Sequence, residues 1–414
     1  MRLLYFHQHF STPSGATGIR SYQMAREMVE RGHHVTMVCG SHRLGATGLE
    51  GPFVRGRRRG WIDGIDIVEF DLSYSNHDGF LKRSWIFLKF ALGSIGLALR
   101  ERYDMSFATT TPLTVAIPVL VAKLLRGRNY IFEVRDLWPE LPREMGVITN
   151  PVVLWLLSAL EFLAYRGATH CIALSPGIAR GIARRGVDED RITMIPNGCD
   201  IELLADATEP ERPDGVADSD LLTIFAGTHG QANGLGAVLD AAAVLKARGR
   251  SDIRFLLVGD GKEKAELVQR ASREGLDNVI FHDPVPKARL ARLLAGADAG
   301  LQVLADVPAF YFGTSPNKFF DYLATGKPVV TNYPGWVAGL VTENEAGIAV
   351  PPRDPEAFAD AMVRLADHRD ALPQMGKAAS ALAKSRFDRR LLAQEWAETV
   401  ERAVKNRIPG RQED

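Results

Sequence analysis

The chain has 414 residues, a 46% apolar composition, and 50 basic residues balanced by 50 acidic ones. That length calls for two domains, and the balanced charge removes the electrostatic case for a nucleic-acid partner. The cysteines Cys39, Cys171 and Cys199 have no metal-ligand spacing and fit buried thiols in a reducing compartment.

In chain order, Leu3 to Phe6 predicts a first strand. His7 ends this run, which is too short for a signal peptide. His7 and His9 alternate at the strand end, and the sequence offers them no third metal ligand. Loop one, Phe10 to Arg20, follows, with Gly15 and Gly18 allowing close backbone approach. Residues 18–31 read as a helix with Ile19, Tyr22, Ala25, Met28 and Val29 on one side, and Val35 to Cys39 as the next strand. Arg55, Arg57, Arg58 and Arg59 cluster before Trp61. They read either as a solvated basic loop or as a contact with anionic lipid headgroups.

Further strands are expected at 65–70, 105–108, 130–134 and 169–174, with helices at 82–102, 112–126 and 151–166. Trp85 to Leu88 belong to a helix that is apolar nearly all round apart from Lys89. No uninterrupted apolar run has the length that spans a bilayer. The expected location is cytoplasmic, or peripheral at the inner face of the plasma membrane. Loop two, Glu133 to Glu140, packs charges beside Trp138 just after a strand. It is either an ion-pair knot or a cleft wall, and Arg135 and Asp136 are its candidates for contact with a polyhydroxylated or charged substrate.

A polar stretch from 205 to 220 reads as the linker, and the alternation then restarts. Strands are expected at 222–226, 253–258, 279–281, 300–304, 329–330 and 347–350, and helices at 235–248, 262–273 and beyond Asp354. Strands alternating with helices predict an α/β fold with two parallel sheets, covered on both faces, and ligands at the strand carboxyl ends.

Three signals in this second half point to a phosphate-bearing ligand. Loop three, Gly227 to Gly234, includes Gly230 and joins a strand to a helix; its backbone N–H groups suit a pyrophosphate. Gly259, Asp260 and Gly261 form loop four at the equivalent place on the next unit. Ser315 to Val330 then reads as loop, helix, turn and buried strand, with Ser315 capping the helix and Pro316 at its first position. Asn317 and Lys318 stand at the helix start, and a charge-assisted bond from Lys318 contributes roughly 1.5–3 kcal/mol. Asp321, one turn on, can accept hydrogen bonds from a ribose diol.

These segments together resemble the family 4 glycosyltransferases of GT-B fold. The carriers are the glycine loop with SYQMAREMVERGHHVTMVC, then IPNG at 195–198, FAGTHGQANGL at 225–235, LLVGDG at 256–261 and SPNKFFDYLATGKPVV. EVRDLWPE and the SPNK segment resemble the branch that builds bacterial O-antigens and capsules by transferring N-acetylated amino sugars such as N-acetyl-fucosamine.

The resemblance implies an acceptor-binding domain over 1–200, a nucleotide-sugar domain over 201–385, and a helix over 386–414 returning to the first. It implies a retaining transferase, with a UDP-sugar as donor and a lipid-linked or saccharide acceptor, needing no metal and no cofactor. Catalytic roles fall to Asp136, Arg135 and Lys318. Nucleotide-sugar binding falls to the glycines of loops one, three and four with Asp260, Ser315, Asn317, Lys318 and Asp321.

The sequence departs from the family in two places. Of the usual two glutamates eight positions apart, the second is Asp321 and the first is Gly313. Loop three has Thr228 and Asn233 where the family often has Arg and Lys, leaving Lys318 as the clearest cation of this half, with Arg20 or Arg135 as helpers. The rival readings are a UDP-sugar epimerase of the same fold and a nucleotide-sugar-binding protein without turnover. No GxGxxG opens either half, which argues against a dinucleotide oxidoreductase.

Overall fold

The computed structural model describes residues 1–15, 18–42, 45–73, 79–202 and 209–405. They form two units. The first comprises the described residues of Met1–Pro196, Gly313–Ser315 and residues 390–405; the second comprises those of Asn197–Phe312 and Pro316–Arg389. Of the expected linker, residues 205–208 lie outside the described residues.

The elements up to residue 194 are β1 (Arg2–Phe6), α1 (Arg20–Glu30), β2 (His34–Gly40), β3 (Arg57–Ile62), β4 (Ile65–Phe70), α2 (Phe80–Arg100), β5 (Met105–Thr109), α3 (Ala116–Arg126), β6 (Tyr130–Val134), α4 (Glu140–Glu144), α5 (Pro151–Gly167), β7 (His170–Ala173), α6 (Pro176–Arg184) and β8 (Ile192–Met194). Then come β9 (Leu221–Ala226), α7 (Gly236–Ala247), β10 (Ile253–Val258), α8 (Lys264–Glu274), β11 (Val279–His282), α9 (Lys287–Gly296), β12 (Ala299–Gln302), α10 (Pro308–Gly313), α11 (Asn317–Ala324), β13 (Val329–Thr331), α12 (Trp336–Glu343), β14 (Gly347–Ala349), α13 (Pro355–Asp367), α14 (Leu372–Leu382) and α15 (Arg389–Lys405).

In the first unit the sheet order is β3-β4-β2-β1-β5-β6-β7-β8. Every pair is parallel except β3 with β4. The central strands are near-continuous apolar runs because both faces are covered. On one face Phe90 of α2, Val119 of α3, Tyr165 of α5 and Ile178 of α6 join the core. On the other, α1 and α15 pack, with Trp396 stacked on Tyr5 at 5.7 Å between ring centroids. Asn150 starts α5: its side chain accepts from the N–H groups of Val152 and Val153, and Pro151 fills the next position.

The arginine cluster is not a loop. Arg57–Ile62 is an antiparallel strand whose turn contains Asp63 and Gly64, both at positive φ. An Asp-Gly pair supports such a turn, because both central residues of a tight hairpin need that backbone region. Pairing with β4 brings Arg58 Nε to 2.8 Å from Glu69 Oε2. Arg59 binds Asp66 Oδ2 at 2.5 Å and Glu101 Oε1 at 2.8 Å. Two of the four arginines are thus matched by carboxylates.

The second unit has sheet order β11-β10-β9-β12-β13-β14, all parallel. Its core joins α7 and α13 to β9, β10 and β12. Strand order reverses between β9 and β12, and in the first unit between β1 and β5. Such switch points open crevices at the strand ends. The structure corrects the expected start of the SPNK helix. Pro316 is extended at ψ 125, so α11 starts at Asn317, with Pro316 rather than Ser315 at the boundary and no side-chain cap. Helices α4, α6, α9, α10 and α12 are additions to the elements expected from the sequence.

Candidate functional site

At the β9–β12 switch of the second unit, loops three and four are fastened together. Gly227 N–H donates to Val258 O at 2.9 Å, His229 N–H to Asp260 O at 2.9 Å, and Gly259 N–H to His282 O at 3.0 Å. Gly261 N–H donates to Asp260 Oδ1 at 2.8 Å. A Cβ on Gly259 would stand 1.9 Å from Gly227 O, and one on Gly261 2.3 Å from His229 O. These glycines let two turns touch. The expectation that their N–H groups face a phosphate therefore meets a different arrangement, in which those four donate within the protein. Gly230 is on the open side, where a Cβ would meet only Thr228 Cγ2 at 3.5 Å. Asp260 is exposed.

Lys318, in the first turn of α11, lies against this double turn. Its Nζ donates to Asn233 Oδ1 at 2.7 Å and sits 4.1 Å from the centre of the Phe225 ring. Asn233 in turn donates to Thr228 O at 2.7 Å. A Cβ on Gly227 would come within 3.1 Å of Lys318 Cε, so this glycine makes room for the lysine. Burial pushes the Lys318 ammonium down to about 7. The helix is held in place by Tyr322, whose hydroxyl accepts from Ala226 N–H at 3.0 Å. Asn317 is exposed, Asp321 is half-buried one turn beyond, and Ser315 is buried before Pro316.

Asn233 and Phe225 are the residues that sequence reasoning missed. Asn233 was legible only as a missing cation, whereas here it orients the cation that remains. A separate cleft of ≈ 660 Å³ is lined by Gly234, Asp240, Glu266, Arg270, Asn332 and Phe358, and neither Lys318 nor Asp321 lines it.

In the first unit, loop two follows β6. Glu133 is fully buried and accepts from Arg20 Nη2 at 2.8 Å, Arg20 Nε at 3.2 Å and Thr109 Oγ1 at 2.7 Å. Burial works to raise the Glu133 carboxyl, and Arg20 together with Arg135 and Thr109 outweighs it, leaving it below the usual range. Arg20 also donates to Ile195 O at 2.9 Å and Pro196 O at 2.5 Å. This part of the loop is the ion-pair knot, and it commits Arg20 to structure.

Arg135 and Asp136 are arranged differently. Arg135 Nη1 lies 3.3 Å from His7 Nε2. Asp136 Oδ2 accepts from Thr111 Oγ1 at 3.1 Å, and burial raises its carboxyl above the usual value despite Arg135. His7 is pushed well below its ordinary value by burial, with Arg135 and His9 adding to the effect. His9 is pushed down to about 3 by burial and His42. The cluster thus presents neutral imidazoles beside one guanidinium and one carboxyl. Among the described residues no group of three or more His, Cys, Asp or Glu is placed to hold a metal ion. In loop one, Gly15 is half-buried where a Cβ would meet Ser11 Oγ at 2.2 Å, and Gly18 is exposed just before α1.

Residues 15–198 match the glycosyl transferase 4-like domain, and residues 221–368 match the glycosyl transferases group 1 domain. A D-inositol 3-phosphate glycosyltransferase of Streptomyces griseus is 33% identical over 50% of this chain and 45% of its own length. The namesake of Paenarthrobacter aurescens is 27% identical over 78% of this chain and 72% of its own. The match thus spans about half the length of the first of these relatives. They are inositol-phosphate enzymes, not specifically the amino-sugar transferases of O-antigen and capsule.

Among solved structures, sucrose-phosphate synthase of Thermosynechococcus elongatus superposes with TM-score 0.76 at 16% identity, covering 98% of this chain and 99% of that one. Anabaena HepE in complex with UDP and glucose gives 0.69 at 20%, covering 97% and 99%. The WaaG glycosyltransferase of lipopolysaccharide biosynthesis gives 0.66 at 14%, covering 99% and 100%. The two parallel-sheet units are those of the GT-B fold, and the two stretches of chain that build most of them match glycosyl transferase domains.

Proposed function

We propose that this chain is a retaining glycosyltransferase that takes a sugar from a UDP-sugar and transfers it, without a metal, to a lipid-linked or saccharide acceptor in surface polysaccharide assembly. The observation that carries the donor half is Lys318. It is a lysine lodged at a sheet switch point, oriented by Asn233 and Phe225, with Asp321 one turn away for the ribose. A diphosphate arriving there restores the charge that burial removes, so recognition and neutralisation of the leaving group come from one side chain. HepE, a structural neighbour, is described with UDP and with UDP-glucose, which supports uridine as the base.

The first unit supplies the acceptor site, with Arg135 and Asp136 at the strand ends contacting acceptor hydroxyls. The acceptor hydroxyl attacks the face from which the diphosphate departs, and a departing phosphate oxygen takes its proton. Anomeric configuration is thereby kept.

Thermal stabilisation by UDP, GDP, ADP and NAD, repeated with Lys318→Ala and Asp321→Ala, tests this reading, because a ligand of the folded state raises the melting temperature. UDP stabilisation abolished by both substitutions is the expected result. A shift with NAD alone overturns it. Consumption of a UDP-sugar with no acceptor present favours the epimerase.

A further inference from the structure

Helices α2, α3 and α5 lie side by side over one face of the first sheet, and all three feed the same core. Their outer side is apolar as well. Most of the large apolar side chains that the described residues expose sit here: three on α2, two on α3 and six on α5. Leu124 is 84% exposed and Trp155 68% exposed. A helix buries an apolar stripe and turns a polar one to water; α5 turns Val152, Trp155, Leu156 and Leu163 outward instead. A contiguous apolar surface of this kind marks an interaction site.

The charges on these helices name the partner. α2 and α3 contain lysines and arginines and no carboxylate at all. The sole carboxylate of α5, Glu161, is buried against Arg185 Nη2 at 2.5 Å. Two of the cations lie over exposed aromatic rings of the same face: Lys89 is 5.4 Å from the Trp85 centroid, and Arg166 is 5.2 Å from that of Phe162. In a chain with balanced charge overall, the exposed charges of these three helices are all basic. Contact between two copies through it would set cations against cations, which is unfavourable.

We propose that the outer face of α2, α3 and α5 docks on an anionic lipid bilayer. The apolar side chains enter the headgroup boundary, the tryptophans lie at the interface, and the lysines and arginines meet lipid phosphates. No helix among the described residues is long and apolar enough to cross a membrane, so the helices lie in the plane of the surface. The β3–β4 hairpin, whose Arg58 and Arg59 are paired with carboxylates, is not the docking element. This inference is independent of the donor site, since its test reads lipid binding and not turnover.

The test is co-sedimentation of the whole protein with vesicles of phosphatidylcholine, alone or mixed with phosphatidylglycerol. Binding to the mixed vesicles that weakens with salt is expected. Trp155→Ser with Leu156→Ser should reduce it about tenfold, and Lys82→Gln and Lys89→Gln about fivefold each. Melting temperature and UDP stabilisation should stay as in the parent, because these side chains point outward. Arg55→Gln with Arg57→Gln should leave binding intact. Three results overturn the proposal: no vesicle binding by the parent protein, loss with the hairpin variants but not with the helix variants, or self-association in ultracentrifugation that the helix variants abolish in place of vesicle binding.

Discussion

Lys318 Nζ donates to Asn233 Oδ1 at 2.7 Å while resting on the Phe225 ring. Its neighbours here are one neutral acceptor and one aromatic face, and burial holds the ammonium near 7. A diphosphate favours the charged form, so binding raises this value. UDP binding at about pH 8 should therefore take up a proton, and affinity should fall as pH rises above about 7. Calorimetry in two buffers of different ionisation enthalpy reads the uptake directly. Lys318→Ala should abolish it. No uptake in the parent protein refutes the assignment.

The same lysine makes an opposite prediction for the empty protein. Its folded value is depressed, so the unfolded chain binds the proton more tightly. The resulting cost to stability is full below about 7 and vanishes near 10.4, changing by about 1.4 kcal/mol for each pH unit in between. Lys318→Met should raise the melting temperature at about pH 7, and the gain should fade as pH approaches 10. Melting curves across that range check the sign.

Asp321 is assigned to the ribose. Asp321→Ala should weaken UDP binding about tenfold, the loss of a charge-assisted hydrogen bond. The parent protein should discriminate between UDP and 2′-deoxy-UDP, and the variant should not. Equal discrimination by both would move the ribose contact elsewhere.

Glu133→Ala should destabilise the protein by about 3–5 kcal/mol, because it strands the buried Arg20 guanidinium. The Glu133 carboxyl is held below its usual range. Its contribution is present above the unfolded value, about 4.3, and is lost as pH falls through the folded one. Urea titrations at neutral and acid pH should show a smaller acid sensitivity in the variant than in the parent protein.

Gly259→Ala should lower the melting temperature and abolish UDP stabilisation together. The new Cβ, 1.9 Å from Gly227 O, forces apart the two turns against which Lys318 rests. Gly230→Ala, whose Cβ would make only an ordinary contact with Thr228 Cγ2 at 3.5 Å, should leave the melting temperature unchanged. Differential scanning fluorimetry of the pair separates a packing glycine from a permissive one.

The strands and most long helices were legible because buried parallel strands and amphipathic helices write their period locally. Lys318 and Asp321 were legible too, as neighbours on one helix. What the sequence concealed was contact across long separation. Arg57–Ile62 looked like a charged loop because the carboxylates that match its arginines lie on the next strand and at Glu101. The glycines of loops three and four looked like ligand contacts because nothing local reveals that the two turns touch. Arg20 looked available because Glu133 is 113 residues away.

Trp396 stacks on Tyr5, so the face of the first sheet that α1 covers in part waits for α15 to complete its cover. During synthesis the whole second unit, about 190 residues at about 5–20 residues per second, is made in between. For tens of seconds Tyr5, Phe107 and their neighbours are an apolar surface without its lid, dependent on the ribosome's surroundings to stay unaggregated. A chain stopped before Arg389 would keep the part of that face beneath α15 open permanently, and should behave as a chaperone substrate rather than as a folded first domain.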